Sequence, residues 1–132
     1  SIIKAKAPYK CEFPLLVPPM WNQKELIQLA RYEGLKYPRL YDLGFEHNNC
    51  GGFCVKAGQG QFLRLLKYLP DVYKHHEEEQ FKLHQKIGFY PFLRMTENKE
   101  LKYVSLTEFR EIAESNPTRL DKFDIGGCAC FS

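Results

Sequence analysis

His47-Asn-Asn-Cys50-Gly-Gly-Phe-Cys54-Val-Lys-Ala-Gly58 sets two thiols on one glycine-rich turn. A second close pair follows near the end of the chain, Gly126-Gly127-Cys128-Ala129-Cys130-Phe131, with 73 residues between Cys54 and Cys128. A tetrathiolate metal site is built this way, each arm offering two sulfurs from one turn and folding bringing the arms together. A fold that satisfies the pattern has to return the tail to the middle of the chain.

The glycines suit that reading. Gly51-Gly52 and Gly126-Gly127 permit positive φ and keep side chains away from a metal or cluster. They also leave amides free to point at sulfur, while Phe53 and Phe131 are placed to exclude water. Buried free cysteines, disulfides and a reversible dithiol pair are the other readings of the same residues. Spacing does not separate the two metals. Zinc takes four thiolates from C-x₂₋₄-C knuckles, and a four-iron four-sulfur (4Fe-4S) cluster also takes four cysteines and tolerates irregular spacing. Cys11, the fifth cysteine, reads as a small buried residue, with a redox-active thiol as the alternative.

Working outward, Asn22 with Glu25 forms a capping box, Trp21 and Leu26 can staple over it, and Gly34 closes the helix. Phe13–Val17 reads as a short strand before Pro18-Pro19, and Tyr37–Phe45 as an aromatic loop or short helical turn. After Gly58, the i, i+3, i+4, i+7 series Phe62, Leu65, Leu66 and Leu69 predicts a buried-face helix. Pro70-Asp71 starts a more polar helix that runs to about Lys86 and is closed by Gly88. Phe89–Met95 and Lys102–Leu106 read as strands around a turn at residues 97–99. Ser105 with Glu108 makes a second capping box, stapled by Val104 and Phe109, whose helix Pro117 stops.

At 132 residues the chain is long enough for one domain with a core, and its 44% hydrophobic and 27% charged residues are ordinary for a globular protein. A formal charge of +3 is too small to imply nucleic acid by itself. No apolar run approaches the roughly 20 residues that span a bilayer, so the expectation is a cytoplasmic protein with no membrane partner. In that compartment paired cysteines more often bind metal or do redox chemistry than form structural disulfides. The chain opens at Ser1 rather than Met, which reads as processing or as a fragment of a longer protein.

The stretch Phe13-Pro-Leu-Leu … Trp21 … Leu26-Ile27 … Tyr32 … Pro38-Arg39-Leu40-Tyr41-Asp42-Leu43-Gly44-Phe45 … Cys50-x-x-x-Cys54 resembles the C-terminal half of the phosphoadenosine phosphosulfate reductase family. Those proteins are PP-loop enzymes of the adenine nucleotide alpha-hydrolase-like fold. The segment His47–Gly58 and the Gly-Gly-Cys-x-Cys-Phe ending are most similar to a bacterial and phage branch of it. The resemblance implies an α/β fold, the C-terminal part of a Rossmann-like PP-loop enzyme. Residues 1–132 then form one compact α+β domain of four helices and a few short strands. It implies Cys50 and Cys54 as cluster ligands, with one residue more between them than in the family's element, and tilts the choice towards a 4Fe-4S cluster. The family's Ser-Gly-Gly-x-Asp-Ser nucleotide loop and its Glu-Cys-Gly-x-His tail are absent. Adenine nucleotide would therefore be bound by a missing N-terminal half or a partner chain. Sulfur would pass to a nucleotide or nucleic-acid acceptor, and sulfate reduction by this chain is unsupported.

The expected metal ligands are thus Cys50, Cys54, Cys128 and Cys130. His47 is a candidate hydrogen-bond donor to a cluster sulfur or an alternative ligand. Arg39 and Lys56 are candidates for holding a phosphate or neutralising a negative cluster, and equally read as surface charges. The His75-His76-Glu77-Glu78-Glu79 run reads as a solvated polar helix face. The alternative function is a structural zinc module for protein or nucleic-acid interaction, without catalysis.

Overall fold

A computed structural model describes Tyr9, Glu12, Phe13 and residues 16–48, 51–97 and 99–127. The chain divides into two compact units, Ser1–Tyr37 and Pro38–Ser132. Among the described residues the fold is mixed α/β, with four α-helices and one two-stranded antiparallel sheet.

In the first unit α1 spans Gln23–Tyr32. Its capping box forms as the sequence dictates. The Asn22 side chain accepts from the Glu25 amide at 3.0 Å, and Glu25 Oε2 accepts from the Asn22 amide at 2.7 Å. At the other end the Leu35 amide donates to Ala30 O at 2.8 Å, and Arg31 Nε donates to the Tyr37 hydroxyl at 2.7 Å. The strand expected over Phe13–Val17 is not formed where it is described. Leu16 N donates to Phe13 O at 3.0 Å, a turn that a proline-flanked segment without a ladder partner readily adopts.

The second unit begins with a 3₁₀ turn, Arg39–Tyr41. It continues with α2 Gln59–Tyr68, α3 Pro70–Ile87, β1 Leu93–Glu97, β2 Glu100–Val104, α4 Leu106–Ser115 and a 3₁₀ turn Pro117–Arg119. The helical series places Phe62 and Leu65 of α2 wholly inside, with Leu66 and Leu69 partly buried. Around Phe62 stand the rings of Phe53, Phe92, Phe109 and Tyr73, at centroid distances of 5.6, 5.9, 6.3 and 6.5 Å. Leu93 and Met95 of β1 and Val104 of β2 add the sheet's inner face, and Leu106 and Phe109 close the core from α4.

The hairpin lies later in β1 and earlier in β2 than the aromatic pattern suggests, pairing Leu93 with Val104 and Glu97 with Glu100. Phe89 and Tyr90 carry strand propensity but are 67% and 72% exposed, and Pro91 has no amide to donate. Leu106, expected to end β2, is instead the first residue of α4, because Ser105 accepts from the Glu108 amide at 3.2 Å and starts the helix.

The polar run on α3 is only partly solvated. Tyr73 is buried and its hydroxyl donates to Leu106 O at 2.7 Å. Gln80, also buried, accepts from the Leu106 amide at 2.7 Å. Glu77 takes the Arg110 guanidinium through Nε and Nη2 at 3.1–3.2 Å. One face of α3 therefore docks α4 by polar contacts, a role that a hydrophobic-period reading overlooks. Burial, with the Glu77 charge added, pushes the Tyr73 phenol far above its usual range, so it stays a donor. No helix among the described residues is long and apolar enough to cross a membrane.

Candidate metal centre

Helix α2 starts at Gly58, which has no side chain to cap the first amides. The cap arrives from the tail. Asp124 Oδ2 accepts from the Gln59 amide at 3.1 Å, and Asp124 O accepts from the Gly60 amide at 2.9 Å. Its other carboxylate oxygen accepts from the Gly126 amide at 2.9 Å. Gln59, buried at the start of α2, returns the contact by accepting from the Asp121 amide at 3.0 Å. Gly126 then pairs with Ala57 in an antiparallel bridge, and the Gly127 amide donates to Lys56 O at 3.0 Å. The tail thus lies alongside the segment that follows Cys54.

On this strap sits a cavity of about 240 Å³ lined by Glu46, His47, Cys54, Ala57, Gln61, Ile125 and Gly126. The Cys54 thiol is free and half-buried. Gln61 braces the floor by donating from Nε2 to Gly52 O at 3.2 Å. The volume is many times the roughly 15 Å³ that admits one water, and its lining includes the Cys54 thiol and the His47 imidazole. Both fit a thiophilic metal or cluster.

Of the residues singled out from the sequence, the fold brings His47 and Cys54 to this cavity. Lys56 lines a neighbouring cavity of about 350 Å³ with Phe92, Arg94 and Asp124. Arg39 stays exposed on its 3₁₀ turn and lines neither. Cys50, Cys128 and Cys130, and Cys11 with them, lie outside the described residues. Among the described residues no group of three or more His, Cys, Asp or Glu side chains is arranged to hold a metal ion.

Two of the glycines combine backbone freedom with close packing. Gly51, Gly52 and Gly126 do adopt positive φ, of 57°, 90° and 76°. A side chain on Gly52, however, would meet Leu65, Leu69 and Phe45 at 3.1–3.3 Å, and one on Gly126 would strike the Gly58 amide and Lys56 carbonyl. Close packing of backbone on core and of tail on strap requires them.

Sequence reading missed Gln59, Gln61 and Asp124. The signal was available: a helix opening on glycine lacks a cap, and an aspartate two residues before a glycine is a turn former with a carboxylate to spare.

Phe53, between the two cysteines of the turn, stacks on His76 of α3 at 3.7 Å between ring centroids and 19° between planes. Burial holds His76 below the ordinary histidine range; His75 lowers it further and Glu79 opposes. The folded protein therefore binds this proton more weakly than the unfolded chain, whose histidine titrates near 6.5. His76 makes no pH-dependent contribution well above about pH 6.5, and stability falls as the pH drops through and below it. In urea titrations at pH 7.5 and 5.5, His76→Gln should show a smaller acid loss than wild type; an equal loss in both would exclude His76 as its source.

No family model, curated protein or solved structure matches the chain.

Proposed function

We propose that the chain holds a thiolate-bound metal centre at Cys50, Cys54, Cys128 and Cys130. In this reading the centre is a 4Fe-4S cluster, and the chain is the cluster-bearing C-terminal region of a PP-loop enzyme similar to phosphoadenosine phosphosulfate reductases. The observation that carries the proposal is the strap. The Ala57–Gly126 bridge and the Gly127–Lys56 hydrogen bond set residues 126–127 of the tail beside residues 56–57, just after Cys54 and next to its cavity.

In this reading Cys54 would supply a sulfur from the turn, and His47, which lines the same cavity, would donate to it. Ala57 and Ile125 line the cavity and limit water. An iron–sulfur cluster, when bound, supplies one-electron chemistry, whereas zinc supplies a redox-inactive cross-link. Within a PP-loop enzyme this region would close over an adenine nucleotide bound by another segment or chain. Alone it should not turn over ATP.

Anaerobic purification with metal and sulfide analysis tests the proposal. The expected product is brown, absorbs broadly near about 400 nm through thiolate–iron charge transfer, and loses iron in Cys54→Ser. Colourless protein with one zinc selects the alternative, a structural zinc module. Metal-free protein after reconstitution with either metal, with all thiols titratable, sinks both.

A further inference from the structure

We propose that Asp124 is a positioning residue for the thiol site, a latch that seats the tail against the Cys54 cavity and so sets how the Cys54 sulfur is presented. The inference deepens the metal reading and names the part of the chain that would assemble the site.

One carboxylate does two jobs at once. Oδ2 caps the first turn of α2 through Gln59, and Oδ1 holds the Gly126 amide at the bend that leads towards Cys128. The main chain of the same residue accepts from Gly60 at 2.9 Å. A carboxylate suits this place because the N-terminus of α2 carries partial positive charge, and amides donating to an anion bond more strongly than to a neutral acceptor. Ile125 and Gly126, the residues directly after the latch, form one wall of the Cys54 cavity. Gly58 and Gly60 lie so close beneath the tail that a methyl group on either would strike Asp124 or Lys122. The seat is therefore shaped for this segment, and the Asp124 side chain bonds both to the start of α2 and to the tail. Release of the carboxylate should lift that wall and open Cys54.

The test uses the full chain, reduced and metal-free, as wild type, Asp124→Ala, Asp124→Asn and the core variant Val104→Ala. Iodoacetamide labelling of Cys54 is followed by peptide mass spectrometry under conditions where circular dichroism shows each variant folded. Asp124→Ala should label Cys54 about tenfold faster or more, the scale of one lost charge-assisted contact in a local opening. Asp124→Asn should fall between, since its amide oxygen keeps one of the two acceptors. Val104→Ala should match wild type. Equal rates in wild type and Asp124→Ala overturn the proposal, as does Val104→Ala labelling as fast as Asp124→Ala.

In a second arm, zinc is titrated into the same proteins against a chelator. Asp124→Ala should bind about tenfold more weakly, and equal affinity also overturns the latch. Wild type that takes up neither zinc nor iron, with labelling still separating the variants, removes the metal reading and leaves the latch standing.

Discussion

Gly126→Ala is expected to unseat the tail and to lower stability by about 3 kcal/mol, the sum of a left-handed backbone penalty and an overpacked contact. Gly126 sits at φ 76°, where an L-residue is strained by its own Cβ. The added methyl would also meet the Gly58 amide, the Lys56 carbonyl and the Ala57 carbonyl carbon, all backbone atoms that cannot swing aside. Either effect alone would be moderate; here they coincide at the bridge that carries the tail. Gly34→Ala is the natural control, having φ 66° but nothing within 4 Å of its added methyl. Its cost should be the backbone part alone, about 1–2 kcal/mol. Urea unfolding of the two variants measures the difference. If Gly126→Ala is no worse than Gly34→Ala, the tail does not pack on the strap. Cys54 labelling should rise in Gly126→Ala and stay at the wild-type rate in Gly34→Ala.

Phe62→Ala should cost about 3–5 kcal/mol, the range for deleting a fully buried aromatic ring. Its side chain is 0% exposed and is the common neighbour of four aromatic rings. Those rings come from the cysteine turn, α3, α4 and the approach to β1. Phe53, Tyr73, Phe109 and Phe92 cannot all move in to fill the space, because each is tied to a different element. Loss of Phe62 should therefore also loosen the Cys54 turn through Phe53. Phe89→Ala provides the contrast: at 67% exposure it should change stability by less than about 0.5 kcal/mol. Similar denaturation midpoints for the two variants would mean that Phe62 is not the centre of the core.

Local signals in the chain were read well where the physics is local. Both capping boxes form, because Asn22–Glu25 and Ser105–Glu108 need nothing beyond three residues of helix. Phe62 and Leu65 face inward because helical spacing alone puts them on one side. Strand edges were read less well. Phe89–Phe92 has β-forming residues, but a strand exists only where a partner pairs with it, and pairing starts at Leu93. His76 and Glu77 sit in a run of five polar residues that looks solvent-facing. Their inward role depends on Phe53 and Arg110, which reach α3 from elsewhere in the chain.

The site divides along the same line. Residue types and spacing, by themselves, determined that thiols come in two glycine-flanked arms and that His47 stands close to one of them. Only the tertiary structure decided how the tail returns, since Asp124 and Gln59 are unremarkable polar residues until they are placed against the uncapped start of α2. It also decided that Gly52 and Gly126 serve close packing as well as positive φ. A hydrogen bond between residues 65 positions apart leaves no periodicity in the chain. Its energy depends on a geometry that exists only after folding has brought donor and acceptor together.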